Sequence, residues 1–94
     1  MANRQKFAPL VRLHSPALRR TLDAIVSLPS VERIVLGASK GTRHSRPVGS
    51  VKLQEIVPHG VKMVGYGDRG IISFFVVTST PEKAQQEIAT KLGL

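Results

Sequence analysis

"VKMVGYGDRGIISFFVV", residues 61–77, decides how this chain folds. Val61 and Met63 alternate with Lys62 and Val64, the two-residue period of a strand with one buried face. "GDRG" (67–70) separates two apolar runs with glycines where a positive φ is needed, which predicts a hairpin turn. The second run, continued as "IISFFVVTS" (71–79), is apolar on both faces near its middle and reads as a strand inside a sheet. Phe74 and Phe75 must point to opposite faces of it.

The neighbouring segments extend this hairpin on both sides. "SVKLQEIV" (50–57) alternates, then breaks phase at Glu55–Ile56 as a β-bulge does, and "PHG" (58–60) turns the chain into 61–66. "VERIVLG" (31–37) is a short β-branched run, expected to be a buried strand. Before it, "SPALRRTLDAIVSL" predicts a helix with Ser15 as N-cap, Pro16 at its first position and an apolar stripe of Leu18, Leu22, Ile25 and Val26. Pro29 ends it. After the hairpin, Thr80 as cap, Pro81, Glu82 and an inner stripe of Ala84, Ile88 and Leu92 predict a last helix stopped by Gly93. "FAPLVRLH" (7–14) is expected as a first strand, short or at an edge because of Pro9.

The expected fold is therefore α+β: a two-layer sandwich with a mainly antiparallel sheet of four to five strands, two helices on one face and the order (β)αββββα. If the first strand forms, it joins the first helix and strand 31–37 in a right-handed βαβ unit. Ninety-four residues make a single domain, 1–94, with residues 1–7 as a flexible basic N-terminus and 38–49 as a long basic loop.

Composition narrows the function. The chain has no cysteine, which excludes disulfides and thiolate metal sites. No apolar run approaches the ~20 residues of a membrane span, and the N-terminal stretch lacks the apolar core of a signal peptide, so a soluble cytoplasmic protein is expected. The net charge is +8 and lopsided: residues 1–50 hold nine Lys/Arg against two acids, residues 51–94 five against four. Such a field attracts polyanions: nucleic acid first, an anionic lipid surface or an acidic protein second.

The loop "ASKGTRHSRPVG" (38–49) concentrates this charge. Lys40, Arg43, His44 and Arg46 are set among glycines that let a phosphate backbone come close, with Arg4, Lys6, Arg12, Arg19 and Arg20 as further phosphate contacts. It lacks the GxxxxGK[ST] frame of a P-loop. With only Phe7, Tyr66, Phe74 and Phe75 as aromatics, and Tyr66 alone a plausible stacking platform, composition favours contacts to the backbone of duplex or structured RNA over base stacking. His14, His44 and His59 are candidate metal ligands, with Glu55 or Asp68 as a carboxylate partner, but their separations match no compact ligand motif. No nucleophile–base pair or paired carboxylates stand out, so no catalysis and no cofactor are expected.

"HS" (14–15) before a helix, "LPSVERIVLG" (28–37), a basic glycine-containing loop, a lysine-bearing hairpin and "FFVVTS" (74–79) together resemble a small uncharacterised prokaryotic family labelled predicted metal-binding, over about residues 10–90. The resemblance implies His14, Ser15 and Val76–Thr78 as shared positions. The chain departs from that family in "GASKGTRHSR", where more glycine or proline is usual. The α–β–β–β–α core is also similar in order to double-stranded-RNA-binding domains, although "TPEKAQQE" carries only Lys83 where those domains have a lysine cluster. The expected function is a non-enzymatic nucleic-acid-binding module, RNA before DNA. The alternatives are a small regulator or inhibitor docking on an acidic protein surface, or a histidine-based metal-binding protein.

Overall fold

The computed structural model of the protein describes residues 15–94. The expected strand at 7–14, the N-terminal residues 1–7, and Arg4, Lys6, Arg12 and His14 lie outside the described residues. The elements are α1 (Pro16–Val26), β1 (Arg33–Lys40), β2 (Val51–Val57), β3 (Gly60–Gly67), β4 (Gly70–Val77) and α2 (Pro81–Leu92). They form the expected α+β fold, with one four-stranded antiparallel sheet of order β1-β4-β3-β2.

The β3–β4 hairpin fills the centre of that sheet, as its doubly apolar second run requires. Register follows the alternation: Met63 stands opposite Phe74, and Val61 opposite Val76. Ile34, Phe74 and Val76 share a face with Val61, Met63 and Val51. Those residues form one hydrophobic cluster with Leu18, Leu22, Ile25 and Val26 of α1 and Ala84 and Ile88 of α2. Both helices therefore cover the same face, and each fully buried Leu, Ile or Val side chain stabilises that contact by about 1.5–3 kcal/mol. Leu18 lies on the bare backbone of Gly65, which lets α1 sit close to β3.

Ser15 caps α1, accepting from Leu18 N–H at 3.4 Å, and Gly93 ends α2 at φ 70°. Thr80 occupies the N-cap position of α2, but its hydroxyl makes no capping bond, contrary to the sequence expectation. Buried Thr78 intervenes: its Oγ1 accepts from Thr80 N–H at 3.0 Å and donates to the Ser30 carbonyl. Ser30 is also tied to α2, donating from N–H (3.2 Å) and Oγ (2.8 Å) to the Glu87 carboxylate.

Two bulges interrupt the edge strands. In β2 the register shifts between Leu53 and Glu55, one residue before the break in alternation predicts. In β1 it shifts between Leu36 and Ser39, so that Gly37 and Ala38 together face Ser73. Ser73 Oγ donates to the Ala38 carbonyl at 3.2 Å. Gly37 thus marks a bulge rather than the end of the strand, and β1 runs on to Lys40, which pairs with Ile71. The basic loop shortens accordingly, to residues 41–50.

The strand pairing of Lys40 depends on Gly70, whose φ is +143°. A Cβ at this position would run into the Lys40 carbonyl and lie 2.9 Å from Gly41 Cα. Gly70→Ala is expected to cost about 1–3 kcal/mol through backbone strain and overpacking, read as a lower midpoint in urea denaturation. Gly93→Ala, whose Cβ would meet open space, is expected to cost less in the same measurement.

Candidate nucleic-acid interface

β1 and β2 follow one another in sequence but stand at opposite edges of the sheet. The chain between them must cross the end of the central hairpin, and it carries the basic residues over Tyr66 and Gly67 as it does so. His44 is the pin. Its Nε2 bonds the Gly67 carbonyl at 2.9 Å, and its Nδ1 accepts from Arg46 N–H at 3.2 Å. Since the carbonyl can only accept, these two bonds select the neutral tautomer with hydrogen on Nε2. The imidazole meets the Tyr66 ring edge-on at 5.1 Å between centroids, and the Arg46 guanidinium lies 5.8 Å from the same ring centre, within cation–π range.

The far end of the loop is fastened to the sheet and to α1. Gly49 N–H donates to the Tyr66 carbonyl at 2.7 Å, and Tyr66 N–H donates to the Ser50 carbonyl at 2.9 Å. Thr21 Oγ1 donates to the Gly49 carbonyl at 2.6 Å. The loop is therefore held at its middle and its end.

This arrangement gathers Lys40, Arg43, His44 and Arg46 at one end of the sheet. Arg43, His44 and Arg46 line a cleft of about 290 Å³ with Asp68 and Arg69 of the β3–β4 turn. In the sequence Arg69 carries no binding signal, because "GDRG" reads as turn chemistry. It becomes a site residue only because the loop crosses that turn. Arg19 and Arg20 are exposed on α1, on the helix layer rather than on the sheet face that carries Tyr66. Tyr66 is only 9% exposed. His44 and Arg46 cover its ring, so it supports the loop instead of offering a free stacking platform.

The histidines do not assemble. His59 is exposed in the β2–β3 turn, at the opposite end of β3 from His44, about 24 Å away at ~3.4 Å per residue. Both ring nitrogens of His44 are already engaged. Among the described residues no group of three His, Cys, Asp or Glu side chains is placed to hold a metal ion. No helix among them is long and apolar enough to cross a membrane. Comparison with protein-family models, curated proteins and solved structures finds no match.

Tyr66 is the single tyrosine of a chain without tryptophan, so its fluorescence reports on the loop directly. His44→Ala is expected to raise quenching of Tyr66 by acrylamide and to speed exchange of the Arg46 amide. The loss of two hydrogen bonds should lower stability by about 1–2 kcal/mol in urea denaturation.

Proposed function

We propose that the chain is a non-enzymatic nucleic-acid-binding module, for RNA in preference to DNA, that grips phosphates with the basic end of its sheet. The observation that carries this reading is the clamped loop. Arg46 and His44 are fastened on Tyr66, beside Lys40, Arg43 and Arg69, with Asp68 as the one acid of the cleft. Among the described residues the ion pair that forms is Lys62–Glu55, elsewhere on the sheet. The four cations at the loop end are thus left without a carboxylate partner, the state in which they best neutralise phosphates.

Affinity comes from counterion release as phosphates are neutralised, supplemented by the field of the +8 chain. Arginine forks suit phosphate oxygens, and fixing the loop beforehand removes part of the ordering cost of binding. RNA is favoured because the cations gathered at the loop end stand on a strand, a loop and a turn rather than on a helix that could enter the major groove of DNA. A cytoplasmic location belongs to the same reading.

Nuclease-treated protein titrated into labelled RNA and DNA across a salt series tests it. Micromolar binding is expected, weakening steeply with salt and tighter for RNA. Arg43→Ala/Arg46→Ala should weaken binding and reduce the slope of log K against log salt by about 1.4–1.8, two phosphate contacts' worth. An unchanged affinity and slope would remove the loop from the interface. No binding even at low salt would turn the same positive field toward an acidic protein surface.

A further inference from the structure

Among the described residues nothing covers the sheet face opposite the helices, and its register defines what it presents. Arg33 and Lys40 of β1, Lys62 of β3 and Lys52 of β2 all stand on it, with Glu55 as the one acid on the paired strands of that face. Between the cations lies an apolar floor: Val35, Val64, Ile71, Phe75 and Val77. Val35 remains 39% exposed. Near the basic loop the face deepens into a groove of about 760 Å³, with Lys40 on one side, Lys52 and Gln54 on the other, and Val64, Ser73 and Tyr66 between. Lys40 and Lys52 are on opposite edge strands, which lie three strand spacings or about 14 Å apart.

Phe75 has a particular position on this floor. Its ring lies against the backbone of Gly60 on the neighbouring strand, so close that any Cβ at residue 60 would overlap it. The outer end of the ring thus rests on the neighbouring strand while the side chain stays partly exposed. A partly exposed aromatic ring on an apolar floor gives an unstacked base a surface to stack on.

We infer that this open face is the track for an unpaired strand of nucleic acid, running from the basic loop across Lys40 and Lys52 toward Phe75, with bases on the apolar floor and phosphates on the flanking lysines. The inference rests on the nucleic-acid reading above and deepens it. Charge complementarity calls for a polyanion, since the face carries four cations and one acid. The apolar floor then selects among polyanions. A duplex turns phosphate and sugar outward and gains little from Val35, Val64 or Phe75. An unpaired strand exposes base faces that lose water on contact with them. The face therefore points away from the duplex preference that the scarcity of aromatics suggests, because valine and isoleucine provide most of its apolar surface.

The test compares labelled oligouridylate RNA with an RNA duplex of equal length, by fluorescence anisotropy across a salt series. The proteins are the wild type, Phe75→Leu, Lys52→Ala and Arg43→Ala/Arg46→Ala. The wild type should bind oligouridylate more tightly than the duplex. Phe75→Leu should weaken oligouridylate binding about tenfold and leave duplex binding unchanged. Lys52→Ala should lower the salt slope on oligouridylate by about 0.7, one phosphate on a single strand. If Phe75→Leu does not fold, shown by its thermal melt, the exposed Lys52→Ala substitution carries the test. The track is wrong if Phe75→Leu and Lys52→Ala bind oligouridylate like the wild type while Arg43→Ala/Arg46→Ala still weakens binding; the basic-loop reading then stands alone. Absence of binding to either RNA removes both.

Discussion

The central place of the β3–β4 hairpin is the constraint on which the remaining structure depends. With that hairpin occupying the middle of the sheet, β1 and β2 can pair only at its two outer edges. They are consecutive in sequence, so their connection must cross about 14 Å of sheet end, three strand spacings. Residues 41–50 could reach more than twice that distance if extended, at roughly 3.3 Å per residue. The loop therefore has slack, and ordering it needs attachments rather than tension. His44 on Gly67, Arg46 on Tyr66 and Thr21 on Gly49 supply them.

The same constraint separates the two surfaces of the sheet. Both helices pack on one face and bury its alternate residues, and none of the described residues covers the opposite face. Lysines on that open face keep their charge in water and cost little to place, and the exposed Lys62–Glu55 pair at 3.6 Å adds little stability. Such residues are not explained by the core. Their arrangement beside the clamped loop gives the nucleic-acid reading a continuous surface, from Arg43 and Arg69 at the end of the sheet to Phe75 on its floor.

The bulge at Gly37–Ala38 links these two features. Without it, β1 beyond Leu36 would carry its side chains on the reversed faces, because a one-residue slip changes every inward position into an outward one. With it, Lys40 pairs with Ile71 and stands on the open face, on the same side as Lys52. Gly70 makes this possible by leaving room for the Lys40 carbonyl. A glycine in a turn on β4 thus determines where a cation on β1 is presented.

What the sequence determined by itself is the set of elements governed by local periodicity and local capping. The helical stripe of Leu18, Leu22, Ile25 and Val26, the Ser15 cap, the alternation of Val61 and Met63, and the central character of 71–77 are all legible there. Each reflects chain geometry over a few residues and one buried side. Tertiary structure decided everything that depended on which strand lies beside which. It turned Gly37 from a strand end into a bulge, set the Thr78 hydroxyl on the Thr80 N–H while Thr80 itself makes no capping bond, and covered Tyr66 with the loop. It brought Arg69 to the cleft and put His44 and His59 at opposite ends of β3. The physical reason is the same in each case: long-range pairing in the sheet brings together groups whose separation along the chain carries no local signal.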